Sequence, residues 1–250
     1  MYGCQPRNTV VVNNCLKIVQ RVLFPPVCLL CDAAAGHHDG PDGMDLCRAC
    51  MADLPYLGQA CTGCALPLSA SAQGRLCGRC LQRRQAFAEV QAVFHYQTPV
   101  DGLIQGLKFN GRLNHARLLG LLMAQRFRLS GCQRPDILVP VPLHRRRLRE
   151  RGFNQSLELA RHMGRNLSLP VWAHACLRQR DTAAQSSLPA RDRRHNVRNA
   201  FIGHASIDGL HVAVIDDVMT TGCTAHELAL ALLHAGARRV DVWVCARVVV

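Results

Sequence analysis

The sequence predicts an α/β protein, with a mostly parallel sheet covered by helices on both faces, preceded by a small cysteine-rich metal-binding segment. Three observations predict it. Eight cysteines fall into four Cys-x-x-Cys pairs: Cys28/Cys31, Cys47/Cys50, Cys61/Cys64 and Cys77/Cys80. Segments of β-like and helical pattern alternate from Glu89 onward. One apolar run, Val212–Ile215, ends in two adjacent carboxylates and a turn rich in threonine and glycine.

Composition bounds the rest. The chain has 250 residues, 49% of them apolar and 19% charged, which is enough for one large core plus a small domain and excludes a disordered chain. No apolar run approaches the ~20 residues that span a bilayer. Leu118–Ala124 and Val242–Val250 are core-sized, and Arg247 interrupts the second. Met1–Val12 lacks the pattern of a secretory signal, so the expectation is a cytoplasmic protein without membrane insertion. The net charge is +13, carried by 28 Arg and only two Lys, Lys17 and Lys108. Planar guanidinium forks suit phosphorylated or polyanionic partners, although solvated arginine faces give the same excess.

In a reducing compartment the four knuckles mean metal rather than disulfides. Two intervening residues let a tight turn aim both thiolates at one tetrahedral ion, and two knuckles close the shell. Two structural zinc sites follow. Sequential pairing, Cys28, Cys31, Cys47, Cys50 and then Cys61, Cys64, Cys77, Cys80, closes the shorter loops; the spacing also admits crossed pairing. Few large apolar residues lie between Cys28 and Cys80, so metal must replace a core there, with no open position for catalysis.

Along the chain, Asn14–Phe24 has helical spacing at Leu16, Val19, Val22 and Leu23 and stops at Pro25-Pro26, a short amphipathic helix. Residues 1–26 form this segment, 27–84 the double ribbon, and 88–250 the α/β domain, after a basic linker at Gln82–Gln85. Strands are expected at Val90–Tyr96, Ile137–Val141, Val212–Ile215 and Val240–Cys245, and helices at His115–Leu129, Ser156–Asn166 and Ala225–Ala235.

The stretch Val212–Thr224 carries the chemistry. A buried strand delivers Asp216 and Asp217 to the C-terminal edge of the sheet, where α/β ligand sites lie. Thr220, Thr221, Gly222, Cys223 and Thr224 then open a helix, and backbone N–H groups, the helix dipole and the hydroxyls make a cradle for one phosphate. Carboxylates just before it suit two vicinal ribose hydroxyls. Phosphate beside diol is the shape of a ribose 5-phosphate.

This string resembles the motif with which type I phosphoribosyltransferases bind phosphoribosyl pyrophosphate (PRPP). On that resemblance Asp216 and Asp217 hold the ribose hydroxyls and Thr220–Thr224 the 5-phosphate. Asp136–His144, with Val141 and Pro142 at its strand end, looks like the pyrophosphate loop. Arg145–Gln155, ending Arg151-Gly-Phe-Asn-Gln155, resembles the flexible loop that closes over the site. Joined to the knuckles, to Leu107-Lys108-Phe109 and to a stretch running from Arg178 and Arg180 through Thr182 and Gln185 to Phe201, these strings are similar to the ComF family. The resemblance implies a type I phosphoribosyltransferase-like domain behind a double zinc ribbon, with a role in natural competence and the handling of internalised single-stranded DNA. Competence proteins would then be partners, and PRPP with magnesium the ligand. The alternative it implies is a magnesium-dependent phosphoribosyltransferase with an unidentified small-molecule acceptor.

Departure of pyrophosphate leaves positive charge on the ribose and negative charge on the leaving group, so such a site works by positioning and charge stabilisation. Arg147 and Arg151 are the candidates to clamp pyrophosphate, and Lys108, at an expected strand-to-helix junction, is a third. Thr220 stands where purine-salvage relatives of the wider superfamily carry an aspartate, and its hydroxyl cannot move a proton near neutral pH, which disfavours free-purine salvage. Cys223 reads as a small loop filler. Binding of single strands requires Arg-rich grooves and stacking aromatics, yet only Phe109, Phe153 and Phe201 lie near basic residues.

Overall fold

The computed structural model describes residues 27–33, 44–69, 75–180 and 197–249. The expected helix over 14–24, Cys4 and Cys15, and Thr182 and Gln185 of the family-like stretch lie outside the described residues. The chain divides into two compact units, Met1–Asp53 and Leu54–Val250.

In the first unit, Cys28 accepts the turn of its own knuckle: its N–H donates to Ala33 (2.8 Å), its carbonyl accepts from Asp32 (3.0 Å), and Asp32 takes a left-handed φ of 58°. The second knuckle opens a short helix, α1 (Arg48–Ala52), with Cys47 as its N-cap. The larger unit repeats this construction. Ala65 follows Cys64 with φ 53°, and Cys77 caps α2 (Gly78–Gln82).

Among the described residues the main sheet has four parallel strands, β1 (Val90–His95), β2 (Ile137–Pro140), β5 (His211–Met219) and β6 (Arg239–Arg247), in the order β1-β6-β5-β2. The central pair, β5 and β6, is the longest, and its residues are buried almost without break, as expected of parallel strands covered on both faces. One face carries Val212, Val214, Val240, Val242 and Val244 against Leu228, Ala229 and Leu232 of α7 (Cys223–His234). A two-stranded antiparallel ribbon, β3 (Cys176–Arg178) with β4 (Phe201–Gly203), contributes Cys176 and Phe201 to the same core. On the other face Phe127 of α4 (Leu113–Leu129) stacks on Trp243 at 4.4 Å. Helix α4 also packs on α6 (Gln155–Leu167), and at Gly120 a Cβ would come within 2.8 Å of His162 and 3.0 Å of the Leu159 carbonyl. Only glycine permits that approach.

Two features differ from the sequence reading. A boundary was expected near residues 84–88, whereas the division between compact units falls at 53/54. The reason is hydrogen bonding: Leu57 donates to Val93, His95 donates to Pro55, and Val90 donates to Thr62, each at 2.8 Å, so the start of the second ribbon extends the β1 edge of the sheet. That edge is thereby covered. Second, Arg145–Gln155 is not an open loop. Arg145–Arg151 forms helix α5, ended by Gly152 at φ 80°, and Asn154 caps α6.

Candidate functional site

The site lies at the C-terminal ends of β5 and β2. Strand β5 runs past Ile215 through both carboxylates to Met219, because the backbone keeps pairing with β6 (Asp216 opposite Val244, Val218 opposite Ala246) after the apolar pattern stops. Alternation sends Asp216 and Asp217 to opposite faces. Asp216 is half-buried; its Oδ1 accepts from the Ser156 hydroxyl at 3.1 Å and from the Asp217 N–H at 2.9 Å. Asp217 is buried, accepts from the Val218 N–H at 2.8 Å, and lies 2.6 Å from the Lys108 ammonium.

Lys108 therefore belongs to the site, but from a different element than expected: it sits in the last turn of helix α3 (Val100–Asn110), not at a strand-to-helix junction. Its pKa is raised despite burial, because Asp217 and then Asp216 favour the ammonium. One cation for two adjacent carboxylates leaves one carboxylate in excess. Burial, and after it the charge of Asp217, push Asp216 up to about 7 from an ordinary 3.8, against the pull of Lys108. The folded chain thus holds a proton that the unfolded chain loses near pH 4, so this group's contribution to stability falls as pH rises from about 4 to about 7 and is flat above. Asp216→Asn is expected to remove that slope. Denaturant midpoints of the two proteins should converge near pH 4 and be fully separated at pH 8, the variant being the more stable.

After Met219 the chain turns. Gly222, with φ 80°, caps α7, a conformation that leaves the first-turn N–H groups of Thr224 and Ala225 without i−4 acceptors. The Thr221 hydroxyl donates to the Cys223 sulfur at 3.2 Å, consistent with Cys223 filling the turn. Asp216, Thr220, Gly222 and Thr224 line a niche of about 30 Å³, room for roughly two water centres. Thr220 also lines a cavity of about 490 Å³ bounded by Cys64, Arg79, Arg83, Cys223 and Arg247.

The pyrophosphate-loop candidates are positioned by α6. Asn154 accepts from the N–H groups of Ser156 (3.0 Å) and Leu157 (3.4 Å) and donates through Nδ2 to the carbonyl of Val141 (3.0 Å), so one side chain both caps the helix and ties down the turn after β2. Val141 and Pro142 are buried beneath that turn. Asn154→Ala is expected to lower stability by about 1–2 kcal/mol, measured by urea unfolding, because the cap and the Val141 bond vanish together. Arg151 donates to Gln155 at 2.6 Å and lies over the exposed Phe109 ring at 5.9 Å. Burial lowers its pKa; the charge of Asp217 opposes that shift and the neighbouring Arg147 adds to it. Arg151 thus lies within electrostatic reach of Asp217 and of Arg147. Sequence reasoning did not single out Ser156 or Arg247. The signal for Arg247 was present, a lone cation inside Val242–Val250.

The cysteines pair sequentially. Cys28, Cys31, Cys47 and Cys50 bring their sulfurs within 4.8 Å of one another, and so do Cys61, Cys64, Cys77 and Cys80. Zinc at about 2.3 Å from four thiolates needs sulfurs about 3.8 Å apart. Cys31–Cys47 measures 3.8 Å and Cys64–Cys77 3.7 Å, so both sets fit the ion. Backbone N–H groups of Cys50 and Cys77 donate to the sulfurs of Cys47 and Cys61, stabilising the thiolate form. Among the described residues no helix is long and apolar enough to cross a membrane.

Fold and site together define an α/β domain whose central strand ends in two carboxylates and a threonine-rich turn, in a chain that also holds two four-cysteine groups suited to zinc. A family model described as a double zinc ribbon domain matches residues 19–81. DNA utilization protein YhgH of Escherichia coli K12 is 38% identical over 229 residues, covering 89% of this chain and 97% of that protein. Competence protein F of Haemophilus influenzae is 33% identical, over 81% of this chain and 90% of its own length, and Competence protein ComFC of Bacillus subtilis is 27% identical, over 84% and 90%. The chain belongs to the ComF family. Among solved structures, glutamine PRPP amidotransferase from B. subtilis, complexed with ADP and GMP, matches 52% of this chain and 25% of its own, with 20% identity and a TM-score of 0.36. Purine phosphoribosyltransferase from Pyrococcus horikoshii matches 53% and 82%, with 14% identity and a TM-score of 0.32.

Proposed function

We propose that this protein binds PRPP and serves, in the cytoplasm, the handling of internalised single-stranded DNA during natural competence. The observation that carries the ligand is the strand β5 end: Asp216 and Asp217 in succession, followed by a glycine-capped threonine turn, with Lys108 and Arg151 near Asp217. A ribose 5-phosphate places its diol at the carboxylates and its phosphate on the turn. The pyrophosphate falls to the buried Val141-Pro142 turn and the cations Arg147 and Arg151. The DNA role is supported by the relatives' names, DNA utilization protein and competence protein, and by the net charge of +13.

Magnesium fits this donor set as a companion of the ligand rather than a resident ion. Hard carboxylate oxygens suit it, but Asp217 is engaged by Lys108, so Asp216 and the ligand's own phosphates would hold it and neutralise the leaving pyrophosphate. Titration calorimetry with PRPP and Mg²⁺ tests the reading: micromolar heats for the native protein and at least tenfold weaker binding for Asp216→Asn are expected. No heat with the native protein overturns it. Competence handling is tested by titrating a labelled single-stranded oligonucleotide, whose affinity must fall steeply with salt.

One observation favours a second reading, phosphoribosyl transfer. Thr220 is shared by the phosphate niche and the cavity of about 490 Å³, a volume in the range of small-molecule sites, so an acceptor has room beside the sugar. Release of pyrophosphate in the presence of an acceptor panel distinguishes transfer from binding alone.

A further inference from the structure

We infer that the second cysteine cluster is a positioning element for the phosphate turn, and that Arg247 transmits its influence. The inference rests on the reading of Thr220–Thr224 as a phosphate turn, but its central measurement needs no ligand.

Arg247 closes strand β6 and is buried. A buried guanidinium usually answers a carboxylate; this one answers carbonyls. Its Nε donates to Cys64 at 2.7 Å, and its Nη1 donates to Met219 at 3.1 Å, to Thr220 at 2.5 Å and to Val248. One rigid, planar group thus joins the backbone of a zinc knuckle to the backbone of the turn that follows Asp216 and Asp217.

The direction of these bonds matters. In a trans peptide the carbonyl and the next N–H point to opposite sides. Holding the Met219 and Thr220 carbonyls against Arg247 therefore aims the N–H groups of Thr220 and Thr221 away from it. The other end of the link is equally fixed. Cys64 supplies a sulfur to the four-cysteine set, its N–H donates to Cys61 at 3.3 Å, and Ala65 beyond it holds φ 53°. A metal ion there immobilises the Cys64 peptide, and with it the acceptor that orients the guanidinium. Much of the remaining space between knuckle and turn is the cavity of about 490 Å³, lined by both, so the guanidinium is the strut across it.

The test is amide hydrogen exchange on the zinc-loaded full chain, read over residues 219–224, with β2 (137–140) as internal reference. Arg247→Met and Cys64→Ser are each expected to speed exchange in the turn at least tenfold while β2 stays protected. Arg247→Lys, which keeps the charge but cannot reach both ends as a fork, should lie between, and carries the test should Arg247→Met fail to fold. The double variant Cys64→Ser with Arg247→Met should be no worse than Cys64→Ser alone, since both break one link. Unchanged exchange in the turn, or effects that simply add, overturns the inference. PRPP affinity measured on the same proteins should fall at least tenfold with Arg247→Met. A turn that loosens as described in a protein whose native form gives no heat with PRPP leaves the strut standing and removes the ligand reading.

Discussion

Asp217→Asn is expected to lower the stability of the larger unit by about 3–5 kcal/mol at neutral pH, several-fold more than a surface substitution. The change keeps the side chain's shape, so packing does not enter. What it removes is the countercharge of Lys108, whose ammonium lies 2.6 Å from Asp217 with only 22% of its side chain exposed. A buried ammonium without a partner has two outlets, a lowered pKa or a distorted α3, and either draws on folding energy. Lys108→Met is expected to do comparable harm from the other side, because two electrostatically coupled carboxylates then lose the cation that both share. Combining the two substitutions should recover a large part of the loss, as the isosteric apolar–amide pair leaves no naked charge. A double-mutant cycle from urea unfolding checks this, and strictly additive losses would refute the pairing as the origin of the effect. The same variants separate structure from function: the Lys108→Met/Asp217→Asn protein should refold yet bind PRPP at least tenfold more weakly, since the ligand has lost one of the diol's two carboxylates and a neighbouring cation.

That pair also shows what could be read from the chain and what could not. The strands of the main sheet were visible as apolar runs because parallel strands are buried on both faces. Hydrophobicity could not show that β5 continues through Asp216 and Asp217 to Met219; only the partner strand β6 dictates it. Helix α3 escaped notice although Val100, Leu103, Ile104 and Leu107 repeat at helical spacing, because Gly102 and Gly106 weaken the local preference. Tertiary packing overrides it. At Gly106 a Cβ would meet the His115 ring at 2.7 Å, so the glycine that weakens the helix is also what lets α3 approach α4. Missing α3 meant placing Lys108 in the wrong element while naming it correctly. Helix α5 escaped for the opposite reason: Arg145–Arg151 buries nothing, so no periodicity marks it. The cysteine clusters were the most legible feature, since Cys-x-x-Cys spacing encodes ligand geometry directly, and the loop-closure argument for sequential pairing agrees with the groups found. Arg247 was legible only as an anomaly, a cation inside an apolar run, whose meaning depended on the carbonyl groups of Cys64, Met219 and Thr220, far away in sequence.

Cys47→Ser is expected to unfold the first unit while the larger one keeps its own transition. Among the described residues of Met1–Asp53, the buried apolar side chains are Cys28, Met44 and Leu46, and one of these belongs to the four-cysteine group suited to a metal. A core of that size cannot offset the chain entropy of even the described residues, so the ion must supply the difference. Structural zinc contributes on the order of 10–16 kcal/mol in isolated fingers at neutral pH, far above the few kcal/mol that such a unit has in reserve. Serine keeps the side chain's size but is a poor zinc ligand, and it takes away the sulfur that accepts from the Cys50 N–H and caps α1. Zinc released under denaturation should fall from two equivalents to one. Exchange protection should vanish across the knuckles at 28–33 and 47–53. Unfolding of Leu54–Val250, followed through the stacked Trp243, should be retained, because among the described residues its core between β5, β6 and α7 is built from Leu54–Val250 alone. Persistent protection of the first unit with only one zinc bound would mean that its own packing, rather than metal, holds it together.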